Sequence, residues 1–209
     1  MSKRLTTGLS GLDAQLGGGI PGGSVVLLLG EPMNAHELFT YHFAGGNKLG
    51  KCIFVTTSGE DAQIQDGVKA IGAEGAKGRI QVVQLGGAAK DKLPDFGGER
   101  YVLDSFSEHV ASIGWDAGFA RLRALRDQVH KSEGTLLVTA TPELHTTKEI
   151  ALLKLWADGV MELGFDRQGF GLYPYLKVTK MRGVPDSARF LLFKETDKGL
   201  FMESTRRVF

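Results

Sequence analysis

The sequence predicts an α/β fold: a mostly parallel twisted sheet flanked by helices, followed by a C-terminal antiparallel β extension. Three observations predict it. Short apolar runs alternate with segments of helical period as far as Trp156. The run over 25–29 is apolar throughout, as a strand covered on both faces must be, and it leads directly into Gly30 and a loop. From Gly159 onward the character changes to apolar runs joined by tight turns, the pattern of hairpins.

The elements follow in order. A strand over 25–29 precedes a helix over 35–44, which the Gly45–Gly46 pair ends. A strand over 52–56 precedes a helix near 61–71 with Ile64, Val68 and Ile71 on one face. A strand over 80–85 and a Gly-rich loop lead to a strand over 101–103 that ends at Asp104. A helix around 119–129 turns Phe119, Leu122, Leu125 and Val129 inward, and a strand over 136–139 and a helix over 148–156 follow. The antiparallel strands are 159–163, 172–180, 189–194 and 200–203. With 209 residues, 42% of them hydrophobic, and a net charge of +1, one core suffices, so residues 1–209 read as one domain. Cys52, the only cysteine, sits in an apolar run and reads as a buried thiol. The N-terminus carries no long apolar run and no stretch is long enough for a membrane span, which leads us to expect a cytoplasmic protein.

The loop after the first strand is the main clue to function. A phosphate-binding loop has the form G-x-x-x-x-G-K-[ST]: backbone N–H groups wrap the phosphates, Lys adds positive charge and the hydroxyl holds Mg²⁺. Gly30 keeps the first position, but Ala35, His36 and Glu37 stand where Gly, Lys and Ser/Thr belong. A carboxylate about 5 Å from a phosphate is repelled by roughly 3 kcal/mol per unit charge at an effective dielectric constant of about 20. Loss of Lys removes an attraction of similar order, which a protonated His36 would partly restore. Asn34 and Glu37 have the spacing of a capping box, so we expect the protein's own side chains to satisfy the helix N-terminus that would otherwise hold phosphate.

The segment TGLSGLDAQLGGGIPGG from Thr7 to Gly23, YVLDS from Tyr101 to Ser105, KMRG from Lys180 to Gly183 with Arg189 onward, and TDKG from Thr196 to Gly199 fall in order along nearly the whole chain. Together they resemble the KaiC-like branch of the RecA ATPase superfamily, here with a degenerate Walker A motif. The resemblance implies a RecA-like fold, and it places Asp104 at the Walker B position near Mg²⁺, with Ser105 beside it. Asp104 reads equally as the end of a buried strand. After the second strand the family carries a water-activating Glu; here Thr57-Ser58-Gly59 precede Glu60, which is either a shifted base or the first turn of the next helix. Lys180 and Arg182 stand where family hexamers reach into a neighbour's nucleotide site. They are either cationic fingers in trans or exposed charges at a strand end.

Other chemistries find no footing. The five histidines, at 36, 42, 109, 130 and 145, show no H-E-x-x-H spacing, and one cysteine makes no thiolate zinc site. Ser10 and Ser58 lack the G-x-S-x-G form and read as turn residues. The segments 105–118 and 140–147, DNA-binding loops in RecA-like folds, contain acidic residues and no Lys or Arg, and near-zero net charge argues against strong DNA binding. Arg121, Arg123, Arg126 and Lys131 read as a solvated helix face.

The expected function is therefore that of a pseudo-ATPase: a non-hydrolysing regulatory or scaffolding protein, of the kind the resemblance associates with archaeal-type signal transduction. It would act through subunit contacts in a homo-oligomer or in a mixed ring with an intact paralogue. No cofactor or metal is expected. The alternative is a divergent ATP-binding protein or ATPase using His36, Glu60 and Asp104 with Mg²⁺; a weaker one is a nucleotide-gated DNA-binding paralogue.

Overall fold

A short antiparallel pair, β1 (Arg4–Leu5) and β2 (Ile20–Pro21), brackets helix α1 (Ser10–Gln15) in the computed structural model, which describes residues 3–31, 34–46, 50–73, 78–85, 93–97, 99–168, 171–185 and 189–203. The Asp13 carboxylate of α1 ties this loop together by accepting from Thr6 Oγ1, from the Thr7 backbone N–H at 2.7 Å and from Thr7 Oγ1 at 2.8 Å. Then come β3 (Ser24–Leu29), α2 (Asn34–Gly45), β4 (Cys52–Thr56), α3 (Asp61–Ala70), β5 (Ile80–Gln84) and β6 (Arg100–Asp104). Helices α4 (Phe106–Ile113) and α5 (Trp115–Ser132), strand β7 (Thr135–Ala140), a 3₁₀ turn at Pro142–Leu144 and α6 (Thr147–Trp156) complete the α/β part. Strand β8 (Gly159–Gln168) is the last parallel strand, and β9 (Gly171–Met181), β10 (Arg189–Thr196) and β11 (Gly199–Met202) form the antiparallel extension beside it.

Nine strands make one sheet in the order β11-β10-β9-β8-β3-β7-β6-β4-β5. Strands β3 to β8 run parallel, and β9 to β11 alternate in direction. The unbroken apolar run of β3 follows from its place between β7 and β8, with both faces covered. Its residues alternate between two cores. Val26 and Leu28 pack with α1, α2, α3 and the antiparallel extension, while Val25, Leu27 and Leu29 pack with α4, α5 and α6. The buried thiol of Cys52 is pushed up to about 12 by that burial.

The parallel order and the C-terminal hairpins match the sequence prediction, except that 159–163, read with the antiparallel strands, runs parallel to β3 and only its other edge pairs antiparallel, with β9. The segment 105–118, read as a loop, is a correction: most of it is α4, started by Ser105, whose Oγ accepts from the Glu108 N–H at 3.4 Å. The composition hides it, because its inward positions include Ser107 and His109, polar residues that are nevertheless buried. Helix α5 starts at Trp115 and runs for 18 residues, beyond the periodic stretch around 119–129. Strand β8 extends to Gln168, past the 159–163 apolar run, because its outer half pairs with the long β9 rather than packing on the core.

Candidate functional site

A cleft opens at the C-terminal ends of the parallel strands, where α2 and α3 depart to one face of the sheet and α4 and α6 to the other. Open α/β sheets bind ligands in this position. Its cavity of about 330 Å³ is lined by His36, Glu37 and Tyr41 of α2, by Ser58 and Gln63, by Asp104, Ser105 and Glu108, and by Thr139 and Thr141, among others. The structure thus brings together the expected His36, Glu37, Asp104 and Ser105. The side chain of Asn34, the other half of the expected capping box, lies outside the described residues.

The loop is shaped around the His36 ring. A Cβ on Gly30 would lie 2.9 Å from His36 Nε2 and 3.0 Å from Leu163 Cβ, so only glycine lets the ring approach. The ring is hydrogen-bonded to the Leu29 backbone, and its Nε2 is buried without a partner among the described residues. Burial lowers the His36 pKa to about 4, with the Leu29 bond opposing. The imidazole is therefore neutral near pH 7 and does not supply the partial positive charge that a protonated ring would. Ala35, at the second glycine position, is fully buried.

Glu37 accepts from Tyr41 Oη one helical turn on and from Gln63 Nε2 at 3.3 Å across to α3, so its carboxylate spans the cleft wall. Asp104 ends β6 and accepts from Thr139 Oγ1 at 2.6 Å, and its peptide bond to Ser105 is cis. Burial pushes the Asp104 carboxyl above the usual range, the Thr139 bond opposes this, and the Glu108 and Glu37 charges add to it. Glu108 in turn accepts from Thr57 Oγ1. Among the described residues lining the cavity there are three carboxylates and no Lys or Arg. Glu60 is exposed, stands immediately before α3 and does not line the cavity.

These residues do not fit Mg-ATP. The position for the phosphate-binding Lys holds a neutral imidazole turned in against Gly30, and the Mg²⁺-binding hydroxyl is replaced by a carboxylate already engaged by Tyr41 and Gln63. No group of three or more His, Cys, Asp or Glu among the described residues is arranged to hold a metal ion.

Lys180 and Arg182 lie elsewhere, near the opposite end of the strands. Lys180 Nζ donates to the Lys154, Leu155 and Ala157 carbonyls at 3.1, 3.2 and 2.5 Å, capping the C-terminus of α6. Arg182 pairs with Asp158 at 2.9 Å while its side chain remains 62% exposed.

Over residues 4–194 the sequence matches the Family of unknown function (DUF7125). The chain belongs to this family. It is also similar to the UPF0273 protein of Aeropyrum pernix, at 26% identity over 97% of this chain and 94% of that protein. A UPF0273 protein of Pyrococcus horikoshii is 25% identical with the same coverage. Among solved structures, a KaiC-like protein of Pyrococcus horikoshii aligns with a TM-score of 0.77 at 19% identity, covering 97% of this chain and all (100%) of that one. The flagellar accessory protein FlaH of Methanocaldococcus jannaschii aligns with a TM-score of 0.74 at 17% identity, covering 92% and 94%. The fold of this DUF7125 protein is thus the RecA-like fold of KaiC-like proteins. No helix among its described residues is long and apolar enough to cross a membrane.

Sequence reasoning missed Tyr41, Gln63, Glu108 and Thr139. Tyr41 had a local signal, since it stands four residues after Glu37 on the same helix. Glu108 had one too, three residues after Ser105 in the first turn of the helix that Ser105 caps, whereas Gln63 and Thr139 reach the cleft from separate elements. A further missed group adjoins the cleft: Ser107 Oγ lies 2.8 Å from His145 Nε2 and accepts from the Thr141 N–H at 2.9 Å. The His145 ring stacks on Phe106 and meets Trp115 edge-on, and its side chain is 1% exposed. With Ser107 itself 2% exposed, this pair pins the turn after β7 and offers no accessible nucleophile.

Proposed function

We propose that this DUF7125 protein is a KaiC-like pseudo-ATPase, a non-hydrolysing regulatory or scaffolding protein that acts through subunit contacts in a homo-oligomer or in a mixed ring with an intact paralogue. A place in archaeal-type signalling is part of the proposal. The observation that carries it is the His36 ring, neutral and turned in against Gly30 where a lysine would grip phosphate. The carboxylates of Glu37 and Glu108 support it, because they set a negative potential where a triphosphate would need a positive one. The divergent-ATPase alternative draws no support from Glu60, which stands outside the cavity.

Calorimetric titration with Mg-ATP tests the proposal: no saturable heat is expected, and micromolar binding overturns it. The triple variant Ala35→Gly, His36→Lys, Glu37→Thr removes one repulsion and adds one attraction of roughly 3 kcal/mol each, so it should gain at least about 100-fold in affinity. A folded triple variant without any gain would show that these three positions alone do not close the site. In a mixed ring, Arg182 is the proposed inter-subunit cation, with Lys180 beside it. Adding Arg182→Ala protein in place of wild type should change the turnover of an intact KaiC-like paralogue, and unchanged rates would refute that contact.

A further inference from the structure

On the other face of the sheet, α5 and α6 flank an open second cavity, of about 560 Å³, lined by Phe119, Arg123, Arg126, Asp127, His130 and Trp156, whose Arg126 and His130 end lies away from the cleft. Its distance from the cleft is fixed by β3. Asp158, behind this cavity, accepts from the Val25 N–H near the first residue of β3, whereas the cleft lies past its last. Asp158 is 4% exposed and pairs with Arg126 at 3.3 Å, His130 at 3.1 Å and Arg182 at 2.9 Å. One carboxylate therefore meets two permanent cations. Arg123 is exposed and has no ion pair among the described residues, and Asp127 is the one acid in the cavity wall. The surface carries surplus positive charge around an aromatic floor, in a chain whose overall net charge is only +1.

We propose that this surface docks an acidic segment of a partner protein, with carboxylates on Arg123 and Arg126 and an apolar side chain against Phe119 and Trp156. The aromatic geometry favours a peptide over a nucleic acid. Bases bind single-strand sites by stacking on open ring faces. Here Arg126 lies over the Trp156 ring at 5.4 Å and Phe119 stacks on Trp115 at 5.1 Å, so one face of each ring is already taken. The cations also converge on one cavity instead of tracking a backbone, and Asp127 stands where a regular run of phosphates would meet it. Exposed Ala117, Ala120 and Ala124 extend the site along α5 as a strip without bulky side chains, on which a peptide backbone lies close.

The test uses the full chain and fluorescence anisotropy at low salt with a labelled octapeptide, Asp-Glu-Asp-Leu-Phe-Glu-Asp-Glu. Its counterpart carries Asn and Gln for the acids, and an oligothymidylate stands for nucleic acid. The acidic peptide should bind saturably and at least about tenfold more tightly than the neutral one. Arg123→Glu should weaken it about tenfold, and Arg123→Lys should hold it within about threefold. Lys69→Glu, the same charge change on exposed α3, should leave binding unchanged. Because Arg123 supports no other described residue, its variants are expected to fold, which circular dichroism checks. Absence of saturable acidic-peptide binding, equal loss in the Lys69→Glu variant, or tighter binding of oligothymidylate than of peptide would each overturn the proposal.

Discussion

Acidification should destabilise this protein through His36, and the size of the effect can be worked from the loop itself. The unfolded imidazole titrates near 6.5, while in the fold burial lowers it to about 4. A lowered folded pKa means that the unfolded chain binds more protons, so the stabilising contribution is complete above pH 6.5 and is lost as the pH falls from there towards 4. At pH 5 the loss from His36 amounts to about 2 kcal/mol, and below pH 4 it levels off near 3 kcal/mol. For a chain of this length, about 2 kcal/mol corresponds to a fall of about 4 to 5 °C in Tm. His42 and His145 are also lowered by burial and act in the same direction, while the raised Asp104 acts in the opposite one. The assay must isolate one residue, so urea unfolding is compared at pH 7.5 and pH 5 for wild type and for His36→Gln. Whatever the substitution costs at neutral pH, the drop between the two conditions should shrink by about 2 kcal/mol in the variant. An identical drop in both proteins, or a His36 NMR titration centred near 6.5, would refute the buried neutral ring.

Three further substitutions probe the contacts that shape the molecule. Gly30→Ala places a methyl 2.9 Å from His36 Nε2 and 3.0 Å from Leu163 Cβ and should cost about 1 to 3 kcal/mol; in the His36→Ala background the cost should fall, a coupling that a double-mutant cycle in urea reads directly. Asp158→Asn leaves Arg126 and Arg182 without their shared buried anion and should lower stability by about 2 to 4 kcal/mol, seen as a lower urea midpoint at unchanged slope. Lys180→Met removes the donor to three carbonyls at the end of α6 and should cost about 1 kcal/mol, with faster amide exchange confined to the last turn of that helix.

The parts of the fold set by apolar periodicity were legible in the sequence, because β3, covered on both faces, shows an unbroken apolar run over 25–29, and because the Gly45–Gly46 pair favours a helix end. Helix α4 was not, since its buried face uses Ser107 and His109, which pair with groups brought from beyond β7 and from α5: Ser107 with His145 and Thr141, His109 with Arg121. The same distinction divides the site. His36 and Glu37 stood out because they break a spaced motif, and Asp104 because it ends an apolar run. The partners that fix their state, Gln63 on α3 and Thr139 on β7, come from separate elements that only the folded sheet brings together. The charge of His36 depended on its surroundings too. Read as a residue type it is half-protonated near pH 6.5, and only the burial of its ring against Gly30 and Leu163 makes it neutral. On the proposed reading, the exclusion of phosphate is cooperative. The lysine position of the motif holds an uncharged ring that Gly30 admits, and the carboxylate of Glu37 is held in place by Tyr41 and Gln63. The contacts that stabilise the loop are then the ones that oppose phosphate, so changing any one of the three residues back to the motif leaves the other two against the ligand.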